Sequence, residues 1–170
     1  MERLYTPWRM NYVTTTHKKA EGCVFCAKLE AGPEFDRGNF VVYHGDTTFV
    51  VMNIFPYNTG HLMVLPYEHV AKLSELTPAT HQEIMGLTAH FVELLTQLMS
   101  PDGFNIGINL GRVAGAGIDS HLHMHIVPRW NGDSNFMGVV GDTKVLPETL
   151  GDTYNRITAL LKEYPPNLLK

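Results

Sequence analysis

The 170-residue sequence predicts an α+β domain, an antiparallel sheet of about five strands with helices packed on it. Three observations lead there. Short β-branched and aromatic runs outnumber helical stretches through the middle of the chain. The breaks between the first runs are hairpin-like, which favours antiparallel pairing. One long segment carries apolar residues at helical spacing and suits a helix laid on one side of such a sheet.

In chain order, residues 20–38 are rich in Gly and charge and hold Cys23 and Cys26; they read as a loop or small knuckle ahead of the main fold. Residues 40–43 and 48–52 are strands separated by His44-Gly45-Asp46. Residues 61–65 form a strand after the turn-rich Pro56-Tyr57-Asn58-Thr59-Gly60, ending at Pro66. Thr77 is a good N-cap and Pro78 suits the first helical position. Ile84, Leu87, Phe91, Leu94, Leu95 and Leu98 then share one helical face, up to Ser100-Pro101-Asp102-Gly103. Residues 104–110 set Phe, Ile and Leu against Asn and Gly, a strand with one buried face. Residues 111–117 are a Gly/Ala loop, and residues 121–127 alternate again before Pro128. A last helix begins near Pro147, with Leu150, Tyr154, Ile157 and Leu161 inward, although Gly151 weakens it. The expectation is one domain over 1–170: an extension over 1–38, a core over 39–130 and a helical segment over 131–170.

Composition narrows the function. Thirteen basic and seventeen acidic residues give a net charge of −4, which argues against a general nucleic-acid clamp. A locally positive pocket for a small phosphorylated ligand is compatible with that balance. No apolar stretch of signal-peptide or membrane-spanning length is present, so the cytoplasm is the expected compartment, with no membrane partner. Two cysteines cannot form a disulfide framework. Spaced C-x-x-C, they read as metal or redox chemistry first.

His121-Leu122-His123-Met124-His125-Ile126-Val127 is the informative segment. On a strand its three histidines share one face, and Leu122, Met124 and Ile126 share the other. Three imidazoles could ligate one metal, although same-face neighbours lie ~6.5–7 Å apart and seldom all reach one ion. The middle histidine could instead be a nucleophile oriented by its neighbours. Imidazole attacks phosphorus well, and the phosphoramidate splits one hard displacement into two easier ones. The bland alternative is a satisfied polar strand. Upstream, Asn109 to Gly117 is full of small residues that allow close backbone approach and can form an anion nest. Trp130, just after the strand, suits stacking on a base or plain packing.

These residues resemble the histidine triad (HIT) superfamily, whose signature H-φ-H-φ-H-φ-φ (φ apolar) is matched throughout by His121 to Val127. A second block agrees: Asn53, Pro56 and Gly60-His61-Leu62-Met63-Val64-Leu65-Pro66. Within the superfamily the chain is similar to bacterial diadenosine tetraphosphate (Ap4A) phosphorylases that keep a third histidine. Pro7-Trp8-Arg9-Met10, residues 103–111 and residues 121–136 match as well. The resemblance implies a HIT-like fold and nucleotidyl transfer at an α-phosphate. His123 would be the nucleophile that carries AMP, with His125 and His61 lining the phosphate site. Asn53 would hold the ribose, while Asn109, Gly115, Ala116 and Gly117 would hold the phosphates. The substrate would be an adenine dinucleoside polyphosphate, arriving with Mg²⁺, and relatives pair as homodimers. The Gln that many HIT hydrolases carry shortly before the triad is absent from Ala116-Gly117-Ile118-Asp119-Ser120.

The resemblance also implies a metal site. Some bacterial relatives hold structural zinc with a Cys pair, a His after the first His-bearing strand, and the first His of the triad. Cys23, Cys26, His69 and His121 match. Such a site would pin the N-terminal knuckle to the sheet and leave His123 free, mattering more for folding than for turnover. Three other functions compete: a phosphoramidate hydrolase, a hydrolase with catalytic zinc on the three histidines, and a nucleotide-binding module without turnover.

Overall fold

The computed structural model describes residues 22–134, 140 and 146–167. The Pro7 to Met10 segment and Asn135 and Phe136 lie outside the described residues. Five strands form one sheet: β1 (Val41–His44), β2 (Thr48–Met52), β3 (Leu62–Pro66), β4 (Gly103–Ile108) and β5 (Met124–Arg129). All neighbours are antiparallel, in the order β1-β2-β3-β5-β4. Among the described residues four α-helices accompany them: α1 (Val24–Glu30), α2 (Asp36–Asn39), α3 (Pro78–Met99) and α4 (Leu150–Glu163).

Period-two alternation divides the central strands between two cores. Val50, Met52, Leu62 and Val64 face one side and meet Ile84, Leu87, Phe91, Leu94 and Leu95 of α3, with Tyr154, Ile157 and Leu161 of α4. Phe49, Val51, Met63 and Leu65 face the other side and meet Phe25 of α1. Strands β2 and β3 are buried along their whole length because both faces are covered. The α3 stripe is the one its spacing predicts. Thr77 caps the helix, its Oγ1 accepting from the Thr80 N–H at 3.1 Å, with Pro78 in the first turn. Thr149 caps α4 in the same way, accepting from the Asp152 N–H at 3.2 Å.

The structure refines one expectation and corrects two. The loop or small knuckle expected over residues 20–38 is, over the described 22–38, a knuckle built from α1, a 3-10 turn over Pro33–Phe35 and the start of α2. Seven residues are too few for a helix stable by itself. Helix α1 exists because Phe25 is buried against the sheet. The last strand is Met124–Arg129, not 121–127. Its start is delayed because the Leu122 N–H goes to the Val70 carbonyl at 2.7 Å. It continues through Pro128, whose carbonyl accepts from Asn58 Nδ2 at 3.0 Å on the side where β3 has ended. The missing N–H therefore costs no ladder bond. Finally, β4 is an edge strand whose expected buried face is only half covered. Phe104 and Ile108 pack on the main core while Ile106 is 47% exposed. No helix among the described residues is long and apolar enough to cross a membrane.

Candidate functional site

The alternation through the triad survives the shorter strand. Leu122 and Ile126 enter the main core, with Met124 packed against it, and the three histidines face the opposite side. They are buried there, at 0%, 5% and 8% exposure for His121, His123 and His125. Each is assigned a different task by its partners.

His121 belongs to a clasp of four side chains, with Cys23, Cys26 and His69, that could hold a metal ion. Its Nε2–H donates to the Pro66 carbonyl at 2.9 Å, which leaves Nδ1 unprotonated. That nitrogen lies 3.4 Å from Cys23 Sγ and 3.6 Å from Cys26 Sγ, and His69 Nδ1 lies 3.3 Å from Cys26 Sγ. All four donor atoms fall within 4.8 Å of one another. Tetrahedral bonds of about 2.3 Å to sulfur and about 2.0–2.1 Å to nitrogen give sulfur–nitrogen edges of about 3.6 Å. The donor set, spacing and tautomer therefore fit one tetrahedral metal ion. Burial, and then the adjacent Cys23 sulfur, push the Cys26 thiol pKa up; a bound cation reverses that sign. The structure thus brings together four residues separated by up to 98 positions in sequence.

His123 faces a cleft. Its Nδ1–H donates to the His121 carbonyl at 2.8 Å, so the lone pair sits on Nε2. Burial lowers its pKa, against the opposite pull of that hydrogen bond, and keeps the ring neutral near pH 7. Phe25 packs against it and against His121, with ring centres 5.5 Å apart in both pairs.

His61 and His125 form a relay behind it. The Tyr57 backbone N–H donates to His61 Nδ1 at 3.0 Å, so the His61 proton is on Nε2. That proton points to His125 Nδ1 at 2.9 Å, which places the His125 proton on Nε2. His123 and His125 have ring centres 4.8 Å apart. The pair therefore offers a nucleophilic lone pair beside an N–H donor. Gly60 makes the turn into this relay possible. It has a φ of +76°, and a Cβ there would come within 2.8 Å of Met99 Sδ.

The cleft is open, with His123, His125, Asn53, Gly115 and Gly117 in its lining. Asn53 Oδ1 accepts from the Phe55 N–H at 2.9 Å, which fixes the loop after β2. Other expected residues lie elsewhere. His61 stands behind His125, Ala116 is buried under the loop, and Asn109 follows β4; none of them lines the cleft. The Gly115 and Ala116 N–H groups turn back to the Arg112 and Gly111 carbonyls, at 2.9 and 3.4 Å. Trp130 lines a separate depression with Asp133 and Arg156, its Nε1–H donating to the Met99 carbonyl at 3.3 Å.

Sequence reasoning missed one wall. Val24, Phe25 and Lys28 line the cleft from α1. Their i, i+1, i+4 spacing marks a helix face, but only behind a recognised helix start, and the flanking Gly and charge hid it. Burial lowers the Lys28 pKa, the cost of holding an ammonium away from bulk water.

The HIT domain family matches residues 35–132 of this sequence. A Mycobacterium tuberculosis protein named AP-4-A phosphorylase is 40% identical over 157 residues, covering 90% of this chain and 80% of the relative. An adenosine 5'-monophosphoramidase of Schizosaccharomyces pombe is 36% identical over 109 residues, covering 64% of this chain and 75% of the relative. Among solved structures, a zinc-bound histidine triad family protein from Mycobacterium smegmatis superposes with a TM-score of 0.67 at 24% identity, over 85% of this chain and 96% of its own. The five-stranded fold, the histidine row and these matches agree, and the chain belongs to the HIT domain family.

Proposed function

We propose that this protein is an Ap4A phosphorylase, transferring AMP from diadenosine tetraphosphate to inorganic phosphate through a covalent histidine intermediate. One observation carries the reading: the His123 Nδ1–H is held on the His121 carbonyl, so a neutral ring presents Nε2 to the cleft. In the first step Nε2 attacks the α-phosphorus. The P–N bond forms as the bond to the bridging oxygen breaks, and ATP leaves with that electron pair. The His125 Nε2–H donates to phosphate oxygens as charge builds there. In the second step an inorganic phosphate oxygen attacks the same phosphorus, the P–N pair returns to His123 and ADP departs. Water in place of phosphate would give AMP, making the enzyme a hydrolase.

Zinc is the metal we assign to Cys23, Cys26, His69 and His121, since two thiolates and two imidazoles suit its tetrahedral preference. The zinc-bound Mycobacterium smegmatis relative supports the assignment. Its role is to anchor α1; it stands outside the transfer chemistry. Among the described residues the cleft lining contains no carboxylate, and Mg²⁺ would enter on the polyphosphate itself. The exposed Ile106 on edge strand β4, which follows the long helix α3 in the chain, suits pairing with a second copy. Reduced thiols suit the cytoplasm.

Product analysis with Ap4A tests the reading. ADP and ATP should appear only with phosphate, and His123→Ala should abolish both. The Schizosaccharomyces pombe relative names the second reading: turnover of an adenosine phosphoramidate with none of Ap4A would replace the first.

A further inference from the structure

The cleft contains a cation that the transfer chemistry leaves unused. Lys28 lines it together with Asn53, His123 and His125. Its Nζ donates to the Asn39 carbonyl at 2.6 Å. Among the described residues no carboxylate lies within 4.0 Å of that ammonium. Two of its three N–H donors therefore remain available.

Backbone pairing locates it along the cleft. Asn39 precedes Phe40, whose carbonyl accepts the Met52 N–H at 2.9 Å. Met52 and Asn53 both line the cleft, so the ammonium stands at their end of it. With phosphorus at His123 Nε2, a nucleoside has to extend along the remaining lining. Val24, Phe25, Ile54 and Phe55 there suit the faces of a base. They cannot satisfy sugar hydroxyls, which need polar partners when water is excluded. Asn53 has already committed its Oδ1 to the Phe55 N–H. Lys28 has committed only one of its three donors, to the Asn39 carbonyl.

We propose that Lys28 recognises the sugar of the bound nucleotide, its ammonium donating to ribose hydroxyl oxygens beside Asn53. The proposal rests on the nucleotide reading above and adds a selectivity to it: ribonucleotides are taken over sugars that lack those hydroxyls. It also gives the metal clasp a part in recognition, because Cys23 and Cys26 flank the start of the helix that carries Lys28.

The test uses the metal-loaded protein and titration calorimetry with AMP, 2′,3′-dideoxy-AMP and adenosine. Wild type should prefer AMP to the dideoxy form by about tenfold or more, the scale of one charge-assisted hydrogen bond. Lys28→Met should lose about tenfold for AMP and for adenosine, with the dideoxy affinity unchanged and the far-UV circular dichroism intact. Lys28→Arg should retain most of the preference. Equal weakening of AMP and dideoxy-AMP in Lys28→Met would overturn the proposal. So would a loss with AMP that adenosine does not share, since the lysine then acts on phosphate. The wild-type ratio needs no variant, and a ratio near one refutes the idea even if Lys28→Met fails to fold. Wild type that binds none of the three ligands removes the nucleotide reading, and this proposal with it.

Discussion

His123 donates its Nδ1–H to the carbonyl oxygen of His121 at 2.8 Å, so the backbone of a metal-clasp residue orients the ring that faces the cleft. That bond fixes the tautomer and leaves the Nε2 lone pair toward the cleft, which is what the proposed nucleophile requires. Replacing His123 with Ala should reduce AMP transfer by at least ~10³-fold, the scale on which a covalent catalyst is lost. Quenched single-turnover reactions, followed by mass spectrometry of the protein, should show an AMP adduct in wild type and none in the variant. An adduct that persists in His123→Ala would move the nucleophile elsewhere.

His61 does not line the cleft, yet it sets the proton on His125 through the 2.9 Å contact between their rings. His61→Ala should therefore slow turnover by about 100-fold, the lower end of general acid–base contributions. AMP affinity should change little. Steady-state kcat with equilibrium binding separates the two effects; a fall confined to affinity would show that His61 shapes the pocket rather than the relay.

Metal removal should act on α1 before it acts on the sheet. The helix has seven residues and one buried side chain, Phe25. The main core between the sheet and α3 contains none of the clasp residues. Chelation, or Cys26→Ser, should speed amide exchange over residues 24–30 and lower the melting temperature, while β2 and β3 stay protected. Nucleotide affinity should weaken, because Val24, Phe25 and Lys28 form one wall of the cleft. Uniform loss of protection across the sheet would contradict this order.

Asp133 ties the end of β5 to the loop that leads into His61. It accepts from Arg129 at 2.6 Å and from Asn58 Nδ2 at 2.9 Å. The Arg129 guanidinium is the chief cause of its pKa falling to about 2. A carboxylate depressed in the fold adds stability above its unfolded pKa, near 3.8 to 3.9, and loses it as pH falls toward 2. Asp133→Asn should melt a few degrees lower at pH 7. Its deficit against wild type should shrink between about pH 4 and pH 2, as thermal scans across that range would show.

The main core should respond like any packed interior. Phe91 is fully buried between α3 and the sheet. Phe91→Ala should cost about 3–5 kcal/mol, since the removed ring leaves a cavity that a rigid sheet cannot close. Urea unfolding checks this, and a cost under 1 kcal/mol would mean that α3 can collapse onto the sheet.

Much of this was legible in the sequence because it is written in short-range periodicity. Thr77, Pro78 and the stripe from Ile84 to Leu95 specify α3 by capping and 3.6-residue spacing alone. The alternation from His121 to Ile126 separates a histidine face from a core face whether or not the strand ladder begins on time. What periodicity could not show depends on partners far along the chain. Helix α1 was hidden because its stability comes from the packing of Phe25 rather than from local propensity. The late start of β5 follows from Val70 taking the Leu122 N–H, a pairing across 52 positions (122 − 70) that no local pattern encodes.

By itself the sequence determined which residue types were available: three same-face histidines, a C-x-x-C pair, a Gly-rich loop and the strands to carry them. It determined the sheet and the long helix, because periodic burial is a property of neighbouring residues. Only the tertiary structure decided how the histidines divide their labour. His121 turns to two sulfurs and His123 to a carbonyl, while His125 turns to His61. The physical reason is that an imidazole's tautomer is set by what its second nitrogen touches, and those partners come from Pro66, Tyr57 and the backbone itself.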